Sequence, residues 1–195
     1  ELLQPLAKPG DFKFADINND GKLNEDDRTN IGNPHPDLIL GFNFGCTYKD
    51  FDFSFAFSGT IGNDMWNEYL FKGFATSTDN APLEAYKKAW RQEGDNTKYP
   101  RISQSDLNNN ARSSSWYVEN GSYLRLKNIQ LGYSLPKSFI HKTKLVSSCR
   151  FYVSGQNLLT FTKYGGMDPE VGANEKIVAL GIESQRYPSS KIMTV

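Results

Sequence analysis

The run from Leu38 to Ser58 constrains this chain more than any other. Leu38, Leu40, Phe42, Phe44, Cys46 and Tyr48 alternate with Ile39, Gly41, Asn43, Gly45 and Thr47. After Lys49-Asp50, Phe51, Phe53, Phe55 and Phe57 alternate with Asp52, Ser54, Ala56 and Ser58. Strict period two makes each run a strand with one apolar face and one small or polar face. A two-residue turn at Lys49-Asp50 sets Tyr48 opposite Phe51, Phe44 opposite Phe55 and Phe42 opposite Phe57, so both apolar sets share one face. The product is a long antiparallel hairpin with an aromatic wall. That wall faces either a protein core or lipid.

Composition narrows the choice. The 195 residues carry 22 Lys plus Arg against 22 Asp plus Glu, so neither nucleic acid nor an anionic membrane surface is implied as partner. Aromatics at 13% and 16 glycines describe a β-rich chain with many turns. No stretch approaches about 18 consecutive apolar residues, which excludes a transmembrane helix. A transmembrane barrel stays open, because its strands carry only alternating hydrophobicity. Glu1-Leu2-Leu3-Gln4 has neither a basic n-region nor an initiator Met, so the numbering is expected to begin inside a longer protein. Cys46 and Cys149 fall on different predicted strands and are expected to be unpaired.

Asp16 to Asp27 has the form of a calcium loop, with oxygens at the first, third and fifth positions and Gly21 at the sixth for the sharp turn. The expected ligands are Asp16, Asn18, Asp20, the carbonyl of Lys22, Asn24 and the closing carboxylate of Asp27. The preceding Phe12-Lys13-Phe14 is not helical in pattern, so the predicted ion is structural. The bland alternative is an Asx-rich turn without metal.

Beyond the hairpin, Gly59 to Asn120 loses regularity, apart from a short helix expected over Pro82–Trp90 with Asn80 as a possible cap. Asn120-Gly121-Ser122 matches a glycosylation sequon but reads first as an Asn-Gly turn. It opens a strand over Ser122–Leu135. Ile129, Leu131, Tyr133 and Leu135 alternate in that strand, whereas Leu124 and Leu126 lie on the opposite parity. Either a bulge near Lys127-Asn128 switches the faces, or the upper half stands outside the apolar band. Ser138–Ser148 is a connector, Arg150–Leu158 a strand ending near Asn157, Thr160–Arg186 a second long loop, and 187–195 a final strand.

Long and short connections therefore alternate, which puts every long loop, and the calcium-type loop, at one end of the sheet. An outer-membrane barrel segregates loops in this way; a soluble sandwich has no need to. The expected fold class is all-β, an antiparallel transmembrane β-barrel represented by its C-terminal strands (near 38–48, 51–58, 122–135, 150–158 and 187–195), with long extracellular loops. The alternative is a secreted calcium-binding β-sandwich, a glycan-binding module.

Several motifs recur in an order that resembles a known family. They are Pro9-Gly10-Asp11, Ile31-Gly32-Asn33-Pro34, Gly62-Asn63-Asp64, Tyr99-Pro100-Arg101, the run Ser113–Tyr133, the run Val153–Tyr164 and Gly166–Val171. The chain is similar to the C-terminal barrel portion of SusC/RagA-like TonB-dependent outer-membrane transporters of Bacteroidetes. The resemblance implies a barrel of about 22 strands with a plugged lumen, of which about five strands are here. It implies residence in the outer membrane of a Gram-negative bacterium and nutrient import of oligosaccharides or peptides. The implied partners are TonB, reached through an N-terminal region outside this chain, a SusD-like surface lipoprotein as lid, and outer-membrane lipid. Phe51, Phe53, Phe55 and Phe57 would then face lipid, while Asp52, Ser54, Arg125 and Lys127 point to lumen or plug.

Catalysis is not expected, and the chain reads as no enzyme. His35 is pinned between Pro34 and Pro36, His141 sits in a basic connector, and no nucleophile elbow, HExxH or Walker loop occurs. Trp66, Trp90 and Trp116 either stack on sugar rings or pack the loops together.

Overall fold

The computed structural model describes residues 3–75, 82–103, 105–140, 146–170, 180–183 and 187–195. The strands are β1 (Leu38–Tyr48), β2 (Phe51–Ile61), β3 (Asp64–Trp66), β4 (Val118–Asn120), β5 (Tyr123–Ser134), β6 (Arg150–Thr162) and β7 (Ile192–Thr194). Three short helices accompany them: α1 (Glu68–Ala75), α2 (Leu83–Lys88) and α3 (Lys137–Ile140). One antiparallel sheet runs β1-β2-β5-β6-β7, and β3 pairs with β4 in a separate two-stranded ribbon. The large sheet is an arc of a barrel and does not close on itself within this chain.

The hairpin has the register its pattern dictates. Tyr48 pairs with Phe51, Phe44 with Phe55 and Phe42 with Phe57, around a Lys49 at φ +54° that tightens the two-residue turn. Directly opposed residues share a face. One face therefore carries Phe55 beside Ile129, Phe53 beside Leu131 and Phe51 beside Tyr133, continued on β6 by Gly155, Val153 and Phe151. Phe55 sits in the middle of this wall, its ring 5.3–5.8 Å from those of Phe42, Phe44, Phe53 and Phe57. Among the described residues nothing covers this wall: Phe44 is 44% exposed, Leu131 52% and Phe161 58%. A soluble sandwich would bury such a face under a second sheet. An uncovered apolar face rising over the full length of four strands is the surface a barrel presents to lipid.

A bulge decides between the two readings of β5. Ala56 pairs with Asn128 and Phe57 with Leu126, so Lys127 is passed over. Across the other edge, β6 jumps from Gln156 to Leu159 while β5 moves from Asn128 to Leu126. Asn157, at φ +52°, makes the irregular step in β6. The change of parity returns Leu124 and Leu126 to the face of Ile129 and Leu131. The expected end of β6 near Asn157 is thus an interruption, and the strand continues to Thr162.

Connections are segregated. At one end are the Lys49-Asp50 turn and the 135–149 connector, tied in by Ser134 N–H to Asp50 O (2.8 Å) and Leu135 N–H to Cys149 O (2.9 Å). At the other end lie residues 3–37 and the described parts of 62–122 and 163–183. Cys46 and Cys149 are both free.

Two features of the 62–122 region have no counterpart in the sequence pattern. The β3–β4 ribbon is too short to show periodicity. α1 is announced only by Asn67, whose side-chain oxygen accepts the Leu70 N–H at 2.9 Å. α2 is shorter than the expected Pro82–Trp90. Pro82 stays extended before its first turn, and Ala89 leaves the helix to bridge Tyr99. The suggested Asn80 cap lies outside the described residues, as does His141. The final strand is three residues long rather than nine.

Candidate functional site

The loop end is where the recurrent motifs meet. Asp11 of the first motif takes Arg101 of the fourth, with Arg101 Nε 2.7 Å from Asp11 Oδ1, and Arg101 N–H donates to Gly10 O at 2.8 Å. Gly10 is obligatory there: its φ is +86°, and a Cβ would lie 2.2 Å from the Trp90 ring. Burial opposes ionisation of Asp11, but hydrogen bonds from Arg101 and Asn110 outweigh it and hold its carboxyl below the usual range. The second and third motifs are paired in the same way, with Asp64 N–H donating to Asn33 O at 2.7 Å and Asn33 N–H to Asp64 Oδ2 at 2.9 Å. Residues far apart in sequence are thus stitched into one cap over the sheet.

The inner face of β5 holds the second part of the site. Arg125 is 4% exposed and lies opposite Thr160 of β6. Its Nη2 donates to Asp168 at 2.5 Å, its Nη1 to Glu170 at 2.6 Å and its Nε to Thr160 Oγ1 at 2.9 Å. Lys127, the residue left over at the bulge, also pairs with Glu170. Arg125 and Lys127 were expected to face the lumen or a plug; they lie off the apolar face, and their partners belong to this chain's own segment 163–170. Burial alone would push Asp168 up, yet Arg125 and the N–H groups of Ser189 and Glu170 hold its carboxyl below the usual range. The same segment is pinned once more by Glu183, 1% exposed, which accepts from Tyr164 Oη at 2.5 Å and Met167 N–H at 2.7 Å. Burial, and then that carboxylate, push the Tyr164 phenol up, so it remains a donor. No periodicity marks Glu183. Its only sequence signal is an acid at the end of an apolar run.

The tryptophans pack the loops. Trp66 lies 5.3 Å from the rings of Phe71 and Tyr117, and Trp116 lies 5.0 Å from Phe12 and 4.9 Å from Tyr117. Trp116 Nε1 also donates to Lys98 O. His35 is exposed, and no partner for its ring is seen in the described structure.

The expected calcium ligands Asp16, Asn18, Asp20, Lys22, Asn24 and Asp27 form one tight loop. Asp16 accepts the N–H groups of Asp20 and Gly21, Asp20 that of Lys22, and Asp27 those of Ile17 and Asn24. These N–H groups hold the Asp27 carboxyl below its ordinary range. Gly21 (φ +80°) makes the sharp turn. Among the described residues, no three His, Cys, Asp or Glu side chains gather as a metal-holding group. The donor set nonetheless fits a hard cation, since a carboxylate oxygen accepting one N–H keeps a free lone pair and amide and backbone oxygens complete the shell.

Fold and site together define a segment of an outer-membrane β-barrel whose loops interlock at one end. No protein-family model matches the chain. It is 39% identical over 97% of its length to TonB-dependent receptor P3 of Formosa agariphila, of which it covers 19%. To the TonB-dependent receptor SusC of Bacteroides thetaiotaomicron it is 29% identical over 93% of its length, covering 17% of that protein. Its fold superposes on a structure of the RagAB peptide importer in the closed-closed state with a TM-score of 0.63 at 28% identity, over 82% of this chain and 16% of that one. The chain therefore spans under a fifth of the relatives it matches. Over nearly its whole length it is similar to TonB-dependent receptors, SusC among them.

Proposed function

We propose that this chain is the C-terminal barrel segment of a TonB-dependent importer that takes up oligomeric nutrients, glycans or peptides, beneath a SusD-like lipoprotein lid. The observation that carries this reading is the likeness to the RagAB peptide importer over 82% of this chain. In this reading the wall around Phe55 faces lipid, the Lys49-Asp50 turn is periplasmic, and the interlocked loops form the extracellular rim under the lid. Arg125, Asp168 and Glu170 keep one loop on the rim in a fixed place. A fixed rim suits a surface that a lid must meet repeatedly.

Calcium belongs to the same proposal as a structural ion of Asp16–Asp27. Its support is the donor set and the turn at Gly21.

Uptake tests the import reading. Cells with and without the full-length receptor are given fluorescein-labelled oligopeptides or maltooligosaccharides, with and without a protonophore. Receptor-dependent, protonophore-sensitive uptake of one class is expected. Uptake of both classes that is indifferent to the receptor overturns it.

A further inference from the structure

Among the described residues, nothing accepts a hydrogen bond from the Arg112 guanidinium at the loop end. The Arg112 backbone N–H donates to Asn109 O, but its side chain makes no hydrogen bond or ion pair, and its Nε is buried without an acceptor. Its guanidinium lies over the Phe14 ring at 4.2 Å, which holds it in place without neutralising it. Ser114 Oγ, two residues on, is likewise buried and unpaired. Both residues line a cavity of about 850 Å³ between the calcium-type loop and segment 109–115, with Phe14, Asn24, Asp27 and Asn109 also on its wall.

Buried polar groups in folded proteins have partners, and one left without any at a charged residue is costly. Two such groups in residues that line one cavity point to an acceptor that this chain does not supply. The acids nearby are already engaged: Glu25 pairs with Arg28 at 2.9 Å, and Asp27 accepts the N–H groups of Ile17 and Asn24. We propose that the cavity between Phe14 and Ser114 is a carboxylate-binding site, with the Arg112 fork as principal donor and Ser114 as second donor. A planar carboxylate matches the guanidinium fork in geometry as well as charge. The cavity has room for the residue that bears it, either a uronic acid or a peptide C-terminus. The site stands apart from the import reading and does not require calcium in the loop.

Calorimetry on the full-length receptor in detergent tests this. The titrants are glucuronate and acetyl-alanyl-alanine, with glucose and acetyl-alanyl-alanine amide as neutral counterparts. One acid is expected to bind where its counterpart does not, and which acid binds identifies the source of the carboxylate. Arg112→Gln should weaken binding about tenfold or more, Arg112→Lys less, and Ser114→Ala a few-fold. Absence of binding by either acid, equal binding of acid and counterpart, or unchanged affinity in Arg112→Gln overturns the proposal. If Arg112→Gln fails to fold, Arg112→Lys and Ser114→Ala decide it by the same criterion.

Discussion

The Arg125 guanidinium on the inner face of β5 and the Asp168 carboxylate lie 2.5 Å apart, both almost wholly buried. Forty-three residues separate them in the chain. The pair fastens the loop that follows β6 to the barrel wall. Removing one member strands the other's charge, at a cost of about 3–5 kcal/mol. Arg125→Met should therefore free segment 163–170, seen as faster hydrogen exchange there with the sheet still protected.

The same pair sets a pH dependence. Asp168 is held below the usual carboxylate range, so the folded state favours its charged form. That stabilisation is complete above about pH 4, where a free carboxylate ionises, and fades as pH falls through the lower folded value. Asp11, depressed beside Arg101, adds a contribution of the same sign. Proteolytic nicking of the loop end should be flat from about pH 7 to 5 and rise only below about 4.

Two glycines on neighbouring strands should respond unequally to alanine. A Cβ at Gly59 would lie 2.3 Å from the Tyr123 carbonyl, which is backbone and cannot yield. Gly59→Ala should destabilise the barrel by about 1–3 kcal/mol, read as a lower temperature of mobility change on SDS gels. A Cβ at Gly132 would meet only the tips of Asp52 and Arg150, 2.4 and 2.5 Å away, and both can swing aside. Gly132→Ala should lose little more than their half-exposed ion pair, about 1 kcal/mol or less.

The two faces of β2 should differ in the same assay. Phe55→Arg puts a charge at mid-height on the lipid face, at about 2–4 kcal/mol, and should impair insertion into liposomes. Ser54→Arg, one residue away on the other face, should insert normally.

For the loop Asp16–Asp27, Asp16→Ala combined with Asp20→Ala should abolish the calcium heat in calorimetry of the full-length receptor. An unchanged titration removes the ion from the proposal.

Legibility in the sequence followed period and range. The hairpin register could be read because alternation and a two-residue turn are local, and a one-residue slip would send every Phe to the wrong face. Loop segregation could be read from lengths alone. The bulge at Lys127 showed as a change of parity, but choosing bulge over a band edge needed the strands on either side. α1 and the β3–β4 ribbon were hidden, since elements of three to eight residues carry too few turns to show a period.

The sequence by itself determined that this chain builds antiparallel strands with one apolar face, and its ordered motifs pointed to the family. Only the tertiary structure decided what those motifs do: Asp11 holds Arg101, Asn33 holds Asp64, and Asp168 and Glu170 hold Arg125. The reason is physical. Alternation is written in neighbouring residues, whereas an ion pair across 43 residues depends on where the strands bring the backbone, and no local pattern encodes that position.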